Sequence, residues 1–133
     1  MSTAQRKDLP SIGIFACFSG GSNTGSLTGM AALEIVKRLG GDRVGICSMP
    51  ATLSGVPRQT ALVKKISKIV IIDGCHNQCA RNLLAGVGIE PALYVNLEEQ
   101  LGLDKLGPFT SLDYSQQDVM RVADYLEELL KTL

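Results

Sequence analysis

The four cysteines are the residues of this sequence best suited to chemistry. Cys17 and Cys47 each follow a short apolar run, and Cys75 and Cys79 form a CxxxC pair after a third apolar run. Thiolates bind zinc and iron–sulfur clusters, and an activated thiolate is also a nucleophile. The sequence therefore predicts either a metal site or a reactive thiol.

The CxxxC pair lies where a strand is expected to give way to a helix. Residues 68–73 are apolar and rich in β-branched side chains, which predicts a strand buried on both faces. The strand should end at Gly74, and helical spacing begins near His76. Cys75 would then cap the helix, with Cys79 one turn along on the same face. The helix N-terminus would favour a thiolate at that position.

The same alternation of apolar runs and helical spacing extends over the rest of the chain. Further strands are expected over 11–17, 43–48 and 90–97, and further helices over 27–39, 58–66 and 115–130. This alternation predicts an α/β fold, a three-layer Rossmann-like sandwich with helices on both faces of a parallel four-stranded sheet. The simplest strand order is 2-1-3-4.

That strand order would bring the cysteines together, because the first three strands become neighbours and each is followed by a cysteine. Neighbouring strands lie about 4.8 Å apart, and one helical turn of about 5.4 Å separates Cys75 from Cys79. Small loop adjustments would place four sulfurs around one tetrahedral metal ion. We therefore expect Cys17, Cys47, Cys75 and Cys79 to bind zinc.

Other interpretations of these residues stay open. Cys75 could act as the nucleophile of a thiol-redox or sulfur-handling enzyme, with Cys79 as the resolving thiol. An iron–sulfur cluster could use the same four cysteines. A single cysteine is more often a small buried apolar residue. His76 is expected to be exposed, and Asp73 is expected to cap a helix or make a turn.

The segment Ser19–Ser26 has some features of a phosphate-binding loop. Gly20 and Gly25 have the spacing of that motif, but Ser26 stands where its lysine should be. The following helix N-terminus would still attract a small anion. The glycines are better explained by a tight turn beside Cys17.

Composition limits the partners and the compartment. Thirteen basic and thirteen acidic side chains cancel, which argues against nucleic acid or an anionic membrane as a partner. Residues 1–10 are polar and predict a flexible lead-in without the apolar segment of a signal peptide, followed by one domain over 11–133. The apolar runs are far shorter than the ~20 residues of a membrane span. We expect a cytoplasmic protein, in which cysteines rarely form lasting disulfides.

The cysteine motifs resemble a known family. The sequence contains Asp73-Gly74-Cys75, followed by Cys79-Ala80. Upstream it has Cys17-Phe18-Ser19-Gly20 and a predicted strand that ends at Cys47. This pattern is similar to that of the DGC-domain proteins. These are small prokaryotic proteins named for the Asp-Gly-Cys triplet. The resemblance runs from about residue 12 to about residue 88, and more loosely beyond. It implies zinc binding by all four cysteines and leaves open whether the protein is an enzyme.

Overall fold

The structure, a computed structural model, describes residues 9–133 and has the predicted α/β architecture. The strands are β1 (Ile12–Ala16), β2 (Val44–Ile46), β3 (Lys68–Asp73) and β4 (Leu93–Asn96). The helices are α1 (Asn23–Leu39), α2 (Met49–Leu53), α3 (Pro57–Lys65), α4 (Cys79–Ala85), α5 (Leu97–Leu101) and α6 (Gln116–Leu130). Most of the predicted lead-in over residues 1–10 lies outside the described residues. Within residues 9–133, no helix has the length and apolar character needed to cross a membrane.

The four strands form one parallel sheet in the order β2-β1-β3-β4, which confirms the predicted order 2-1-3-4. In the centre of the sheet, Ile14 of β1 pairs with Ile46 of β2 and with Val70 of β3. Pairing between β1 and β3 continues as far as Ala16 and Ile72, whereas β2 ends at Ile46. The two neighbours of β1 therefore end at different levels.

Helices cover both faces of the sheet, as predicted. Alternate strand residues face opposite sides because side chains alternate along a strand. Ile14 and Ile72 join the larger core cluster, to which α1 and α6 also contribute. Phe15 and Ile71 join a smaller cluster with side chains of α3 and α4. Cys17 and Cys47 pack against this smaller cluster, so both lie on the same side of the sheet.

The last helix forms where its sequence signal predicts. Ser115 Oγ accepts a hydrogen bond of 3.1 Å from the Asp118 N–H, and Asp118 Oδ2 accepts one of 2.9 Å from the Ser115 N–H. This capping box satisfies two backbone donors that the helix leaves free at its start. The buried residues of α6 then follow helical spacing, at Val119, Val122, Ala123, Leu126 and Leu130.

Several helices begin at other residues than predicted or form where no helix was predicted. α1 begins at Asn23 rather than Leu27, because Ser22 Oγ caps it by accepting from the Gly25 N–H at 3.2 Å. A short helix, α2, occupies part of a segment expected to be a loop, and Pro50 fits in its first turn, where no backbone donor is needed. The expected start of α4 near His76 is wrong, because Gln78 adopts a left-handed conformation and α4 begins only at Cys79.

Candidate cysteine site

Three of the four cysteines line one cavity at the carboxyl edge of the sheet. The cavity has a volume of about 250 Å³, and Cys17, Cys75 and Cys79 contribute to its wall together with Lys105. Cys17 follows β1, Cys75 lies in the connection after β3, and Cys79 is the first residue of α4. Lys105 comes from the segment after α5. The ends of two strands, the start of α4 and one distant segment therefore build the cavity.

Cys17 is half-buried and continues the pairing of β1 with β3. Its N–H donates to the Ile72 carbonyl at 2.9 Å, and its Sγ accepts a hydrogen bond from the Ser19 N–H at 3.4 Å. Burial raises the pKa of the Cys17 thiol above its ordinary value, while hydrogen bonds from the backbone of Ser19 and Gly74 oppose that rise. Backbone donors are thus already directed at this sulfur.

Cys75 is half-buried, with a cation beside its sulfur. Lys105 Nζ lies 3.6 Å from Cys75 Sγ, at a distance suited to a hydrogen bond to sulfur. An ammonium group next to a sulfur stabilises negative charge on it. The backbone of Cys75 is also fixed, because its carbonyl accepts a hydrogen bond of 2.7 Å from the Asn96 side-chain amide. Since α4 starts only at Cys79, Cys75 does not cap the helix as expected.

Asp73 caps α4, one of the two roles expected for it. Asp73 is 1% exposed. Its Oδ1 accepts from the Ala80 N–H at 2.9 Å, and its Oδ2 accepts from the Arg81 N–H at 3.1 Å and from the Tyr94 hydroxyl at 3.0 Å. Both carboxylate oxygens are therefore occupied by protein donors. Cys79, just before these donors, is exposed.

His76 is exposed, as expected, and forms a pair with Glu98 of α5. Glu98 Oε1 accepts from the His76 N–H at 2.8 Å and lies 2.7 Å from His76 Nδ1. The hydrogen bond from the His76 side chain lowers the pKa of Glu98 below its ordinary value. Asn96 lies at the end of β4 and Glu98 lies in α5. Through these two residues, the segment after β3 is attached to this neighbouring part of the chain.

Cys47 lies apart from the other three cysteines. Its N–H donates to the Ile14 carbonyl at 2.8 Å, so Cys47 stands beside Phe15 rather than beside Cys17. Its Sγ leans over Gly13, where an added Cβ would lie only 2.9 Å away. Gly13 precedes Cys17 by roughly 13 Å of strand. Cys47 lines a second cavity, of about 410 Å³, with apolar neighbours such as Val44 and Ile66.

The surroundings of Cys47 favour the neutral thiol. Burial raises the pKa of Cys47 to about 11 from an ordinary value of 9.0. The smaller apolar cluster packs around this side chain. In this position Cys47 has the properties of a small apolar residue, the interpretation that applies to most single cysteines.

Among residues 9–133, no group of three or more His, Cys, Asp or Glu side chains is arranged closely enough to hold a metal ion. The structure brings Cys17, Cys75 and Cys79 to one cavity without placing their sulfurs in a ligating arrangement. Zinc binding by these residues and by Cys47 therefore stays a prediction.

The Ser19–Ser26 segment also contributes to the cavity wall, through Ser19, Ser22, Thr24 and Gly25. Its backbone donors are largely used within the protein. The Asn23 N–H donates to Thr110 Oγ1 at 3.0 Å, and the Ser26 N–H donates to the Ser22 carbonyl at 3.0 Å. The small-anion site expected at this loop stays a prediction.

Sequence reasoning missed Lys105, Asn96 and Glu98 as parts of the site. Asn96 carried a usable signal, because it is a polar residue at the carboxyl end of a predicted strand, as the cysteines are. Lys105 lies thirty residues after Cys75 in a segment without a clear pattern, so only the folded chain reveals their contact.

Comparison with known proteins supports the family resemblance that the cysteine motifs indicate. The family model of the DGC domain matches residues 13–126, nearly the whole chain. No curated protein and no solved structure matches the chain.

Proposed function

The chain belongs to the DGC-domain family, and we propose that it binds zinc through the thiolates of Cys17, Cys75 and Cys79. The observation that carries the proposal is that these three cysteines line one cavity. Zinc favours thiolate ligands, and sites with three protein ligands retain an open position for a substrate or water. When bound, zinc would keep the three thiols ionised and act as a Lewis acid at that open position.

The protein groups around the cavity suit a thiolate site. Three thiolates and one zinc ion carry one net negative charge, which the Lys105 ammonium beside Cys75 would offset. The Ser19 N–H, 3.4 Å from Cys17 Sγ, would stabilise charge on a second sulfur. Hydrogen bonds of this kind from outside the ligand shell orient metal ligands and tune the metal.

Metal binding requires the three sulfurs to approach one another. Cys79 is exposed, and the segment between Cys75 and Cys79 is not helical, so side-chain rotation and small backbone shifts could supply this movement. Asp73 is not included among the ligands, because both of its oxygens accept hydrogen bonds from protein groups.

The test is the zinc content of protein purified without oxygen, measured by elemental analysis. We expect about one zinc per chain, and loss of most of that zinc in Cys17→Ser, Cys75→Ser and Cys79→Ser. Cys47→Ser is the matched control and should retain zinc. Loss of zinc in Cys47→Ser would restore the four-cysteine site predicted from the sequence. Wild-type protein without zinc, or a brown protein containing iron, would contradict the proposal.

The contact between Lys105 and Cys75 favours a second candidate function, thiol chemistry at Cys75 without a metal. The Cys75 thiolate would attack a substrate disulfide and release one of its halves as a thiol. Cys79 would then displace the other half, so that a Cys75–Cys79 disulfide forms as the substrate disulfide is reduced to two thiols. Metal-free protein would then show one thiol that is alkylated much faster than the others near neutral pH. Lys105→Met should slow alkylation of Cys75, whereas Lys68→Met, at the start of β3, should not.

A further inference from the structure

We infer that the segment between α5 and α6 carries a docking surface for a basic polypeptide. The surface is centred on Leu106, Phe109 and Leu112, which together we call the apolar rim. This inference goes beyond the proposed function and does not require a bound metal. It rests on the exposure of these side chains, on their position beside the cysteine cavity, and on the charges around them.

The apolar rim exposes three large apolar side chains within residues 106–112. Phe109 is 95% exposed, Leu112 is 82% exposed and Leu106 is 58% exposed. Apolar residues scattered singly over a protein surface are ordinary, whereas several that lie together mark a site of interaction. The rim is therefore a candidate for contact with another molecule.

The backbone of this segment is held in place. The Thr110 N–H donates to the Gly21 carbonyl at 3.3 Å, and Thr110 Oγ1 donates to the Gly107 carbonyl at 2.8 Å. Phe109, next to these attachments, has a φ of 63°. Bulky residues rarely adopt this left-handed conformation, which persists where the surroundings impose it, often at functional sites. The fold thus holds an aromatic side chain in solvent, as suits an anchor residue of an interface.

The apolar rim adjoins the cysteine cavity. Lys105, which lines the cavity and contacts Cys75, directly precedes Leu106. The Leu106 N–H donates to Asn23 Oδ1 at 2.9 Å, and Asn23 follows Ser22 of the cavity wall. A polypeptide bound to the rim would therefore lie beside the three cysteines.

The area of the apolar rim fits a partner that binds transiently. A large apolar side chain contributes up to about 200 Å², so the rim exposes on the order of 500 Å². Each partner in a stable complex buries roughly 800 Å². A permanent dimer of this chain would need a larger surface, whereas a short polypeptide segment that binds and dissociates would not.

The charges around the rim favour a basic partner. Within residues 102–114, the exposed charged side chains are Asp104 and Asp113, and both are acidic. Two cations near this segment have partners in the protein, because Lys105 contacts a cysteine sulfur and Arg121 donates to a backbone carbonyl. Complementary charges guide association and like charges oppose it. Lysines or arginines beside the apolar residues of a partner would therefore strengthen binding, and an anionic membrane would be repelled.

The test uses the intact protein and two labelled synthetic peptides, with fluorescence anisotropy as the measurement of binding. Both peptides have leucines and phenylalanines at their centre, and one has lysines at its ends where the other has glutamates. We expect the lysine peptide to bind about tenfold more tightly at low salt, and this difference to shrink at high salt. Asp104→Asn combined with Asp113→Asn should remove the difference.

A variant of the apolar rim tests the anchor residues. Phe109→Asn combined with Leu112→Asn should weaken binding of the lysine peptide by about tenfold or more, because a few anchors carry most of the binding energy. Asparagine tolerates the left-handed conformation at position 109, so the melting temperature should stay unchanged. Leu33→Gln, at an exposed apolar position of α1, is the matched control and should bind as the wild type does.

The other occupants of the surface are outcomes of the same experiment. No binding of the lysine peptide, or equal binding by the rim variant, overturns the inference. Equal binding of the two peptides overturns the assignment of a basic partner. Dimerisation in sedimentation, or binding to anionic lipid vesicles, that is lost in the rim variant would assign the surface to a second copy or to a membrane and also overturns it. None of these results depends on zinc content, so this inference and the proposed function fail separately.

Discussion

Asn96, the last residue of β4, donates a 2.7 Å hydrogen bond from its side-chain amide to the backbone carbonyl of Cys75. Asn96 is 1% exposed. Its Nδ2 also donates to the Tyr94 hydroxyl at 3.1 Å, and its Oδ1 accepts from the Glu99 N–H at 3.1 Å. One buried amide thus connects the cysteine-bearing segment after β3 with the start of α5.

Replacement of Asn96 by alanine should loosen the segment that carries Cys75. The Cys75 carbonyl and the Glu99 N–H would lose their partner, so we expect the free energy of unfolding to fall by roughly 1–3 kcal/mol. Urea denaturation measures this change, and amide hydrogen exchange over residues 75–78 should become faster. Asn82→Ala is the control, because Asn82 is exposed and donates only a 3.3 Å bond to the Asn77 carbonyl. Similar exchange in both variants would contradict the role of Asn96.

Asp73→Asn should weaken the start of α4 while keeping the size of the side chain. The amide has one acceptor oxygen where the carboxylate has two, and its NH₂ group would face a backbone N–H donor. We expect a loss of roughly 1–3 kcal/mol in the free energy of unfolding and faster alkylation of Cys79. Asp118→Asn, in the exposed capping box of α6, should cost about 1 kcal/mol or less and leave Cys79 unaffected. An unchanged alkylation rate in Asp73→Asn would show that the cap does not position Cys79.

Gly74→Ala should destabilise the protein because there is no room for a side chain at this position. An added Cβ would lie 2.8 Å from the backbone carbon and oxygen of Thr24, at the start of α1. A backbone shift of this kind costs about 1–3 kcal/mol, which calorimetry would record as a melting temperature lower by several degrees. Gly21→Ala is the matched control, since an added Cβ there meets nothing within 4 Å. Equal melting temperatures for the two variants would contradict the close approach at Gly74.

The thiol of Cys47 should make stability fall at alkaline pH. Its pKa is raised to about 11 in the folded protein, against 9.0 ordinarily, so the unfolded chain loses this proton first as the pH rises. The contribution of the neutral Cys47 thiol to the free energy of unfolding is fully present below pH 9.0 and is lost progressively toward pH 11. It amounts to about 2 kcal/mol.

Urea denaturation between these pH values would measure the Cys47 effect. Cys47→Ala should show a shallower loss of stability with pH than the wild type, whatever its stability at neutral pH. Ile66→Ala is the control, because Ile66 lines the same cavity and has no titrating group, so this variant should keep the wild-type slope. If the wild type and Cys47→Ala have parallel profiles, the thiol of Cys47 is not held neutral by burial.

Much of the fold could be predicted from the sequence because its signals are local. The apolar run of β3 and the capping box at Ser115 form where the residues indicate. The strand order 2-1-3-4 followed from the alternation of strands and helices and from the handedness of parallel connections. The cap formed by Asp73 was one of two roles expected from its position at the end of a strand.

The position of Cys47 relative to the other cysteines could not be predicted in this way. Cys17 and Cys47 each follow a strand, yet Cys47 stands beside Phe15 because β2 ends before β1 does. The start of α4 was also predicted too early, because contacts from Asn96 and Glu98 hold the residues before Cys79 in a non-helical conformation.

The sequence by itself thus determined the family, the α/β class, the strand order and the four residues with thiol chemistry. Only the tertiary structure decided that Cys17, Cys75 and Cys79 share a cavity with Lys105 while Cys47 lies elsewhere. The physical reason is that helical spacing and strand propensity depend on neighbours along the chain. Strand register and the contacts of a loop depend on residues far away in sequence, whose pairing a single pattern does not specify.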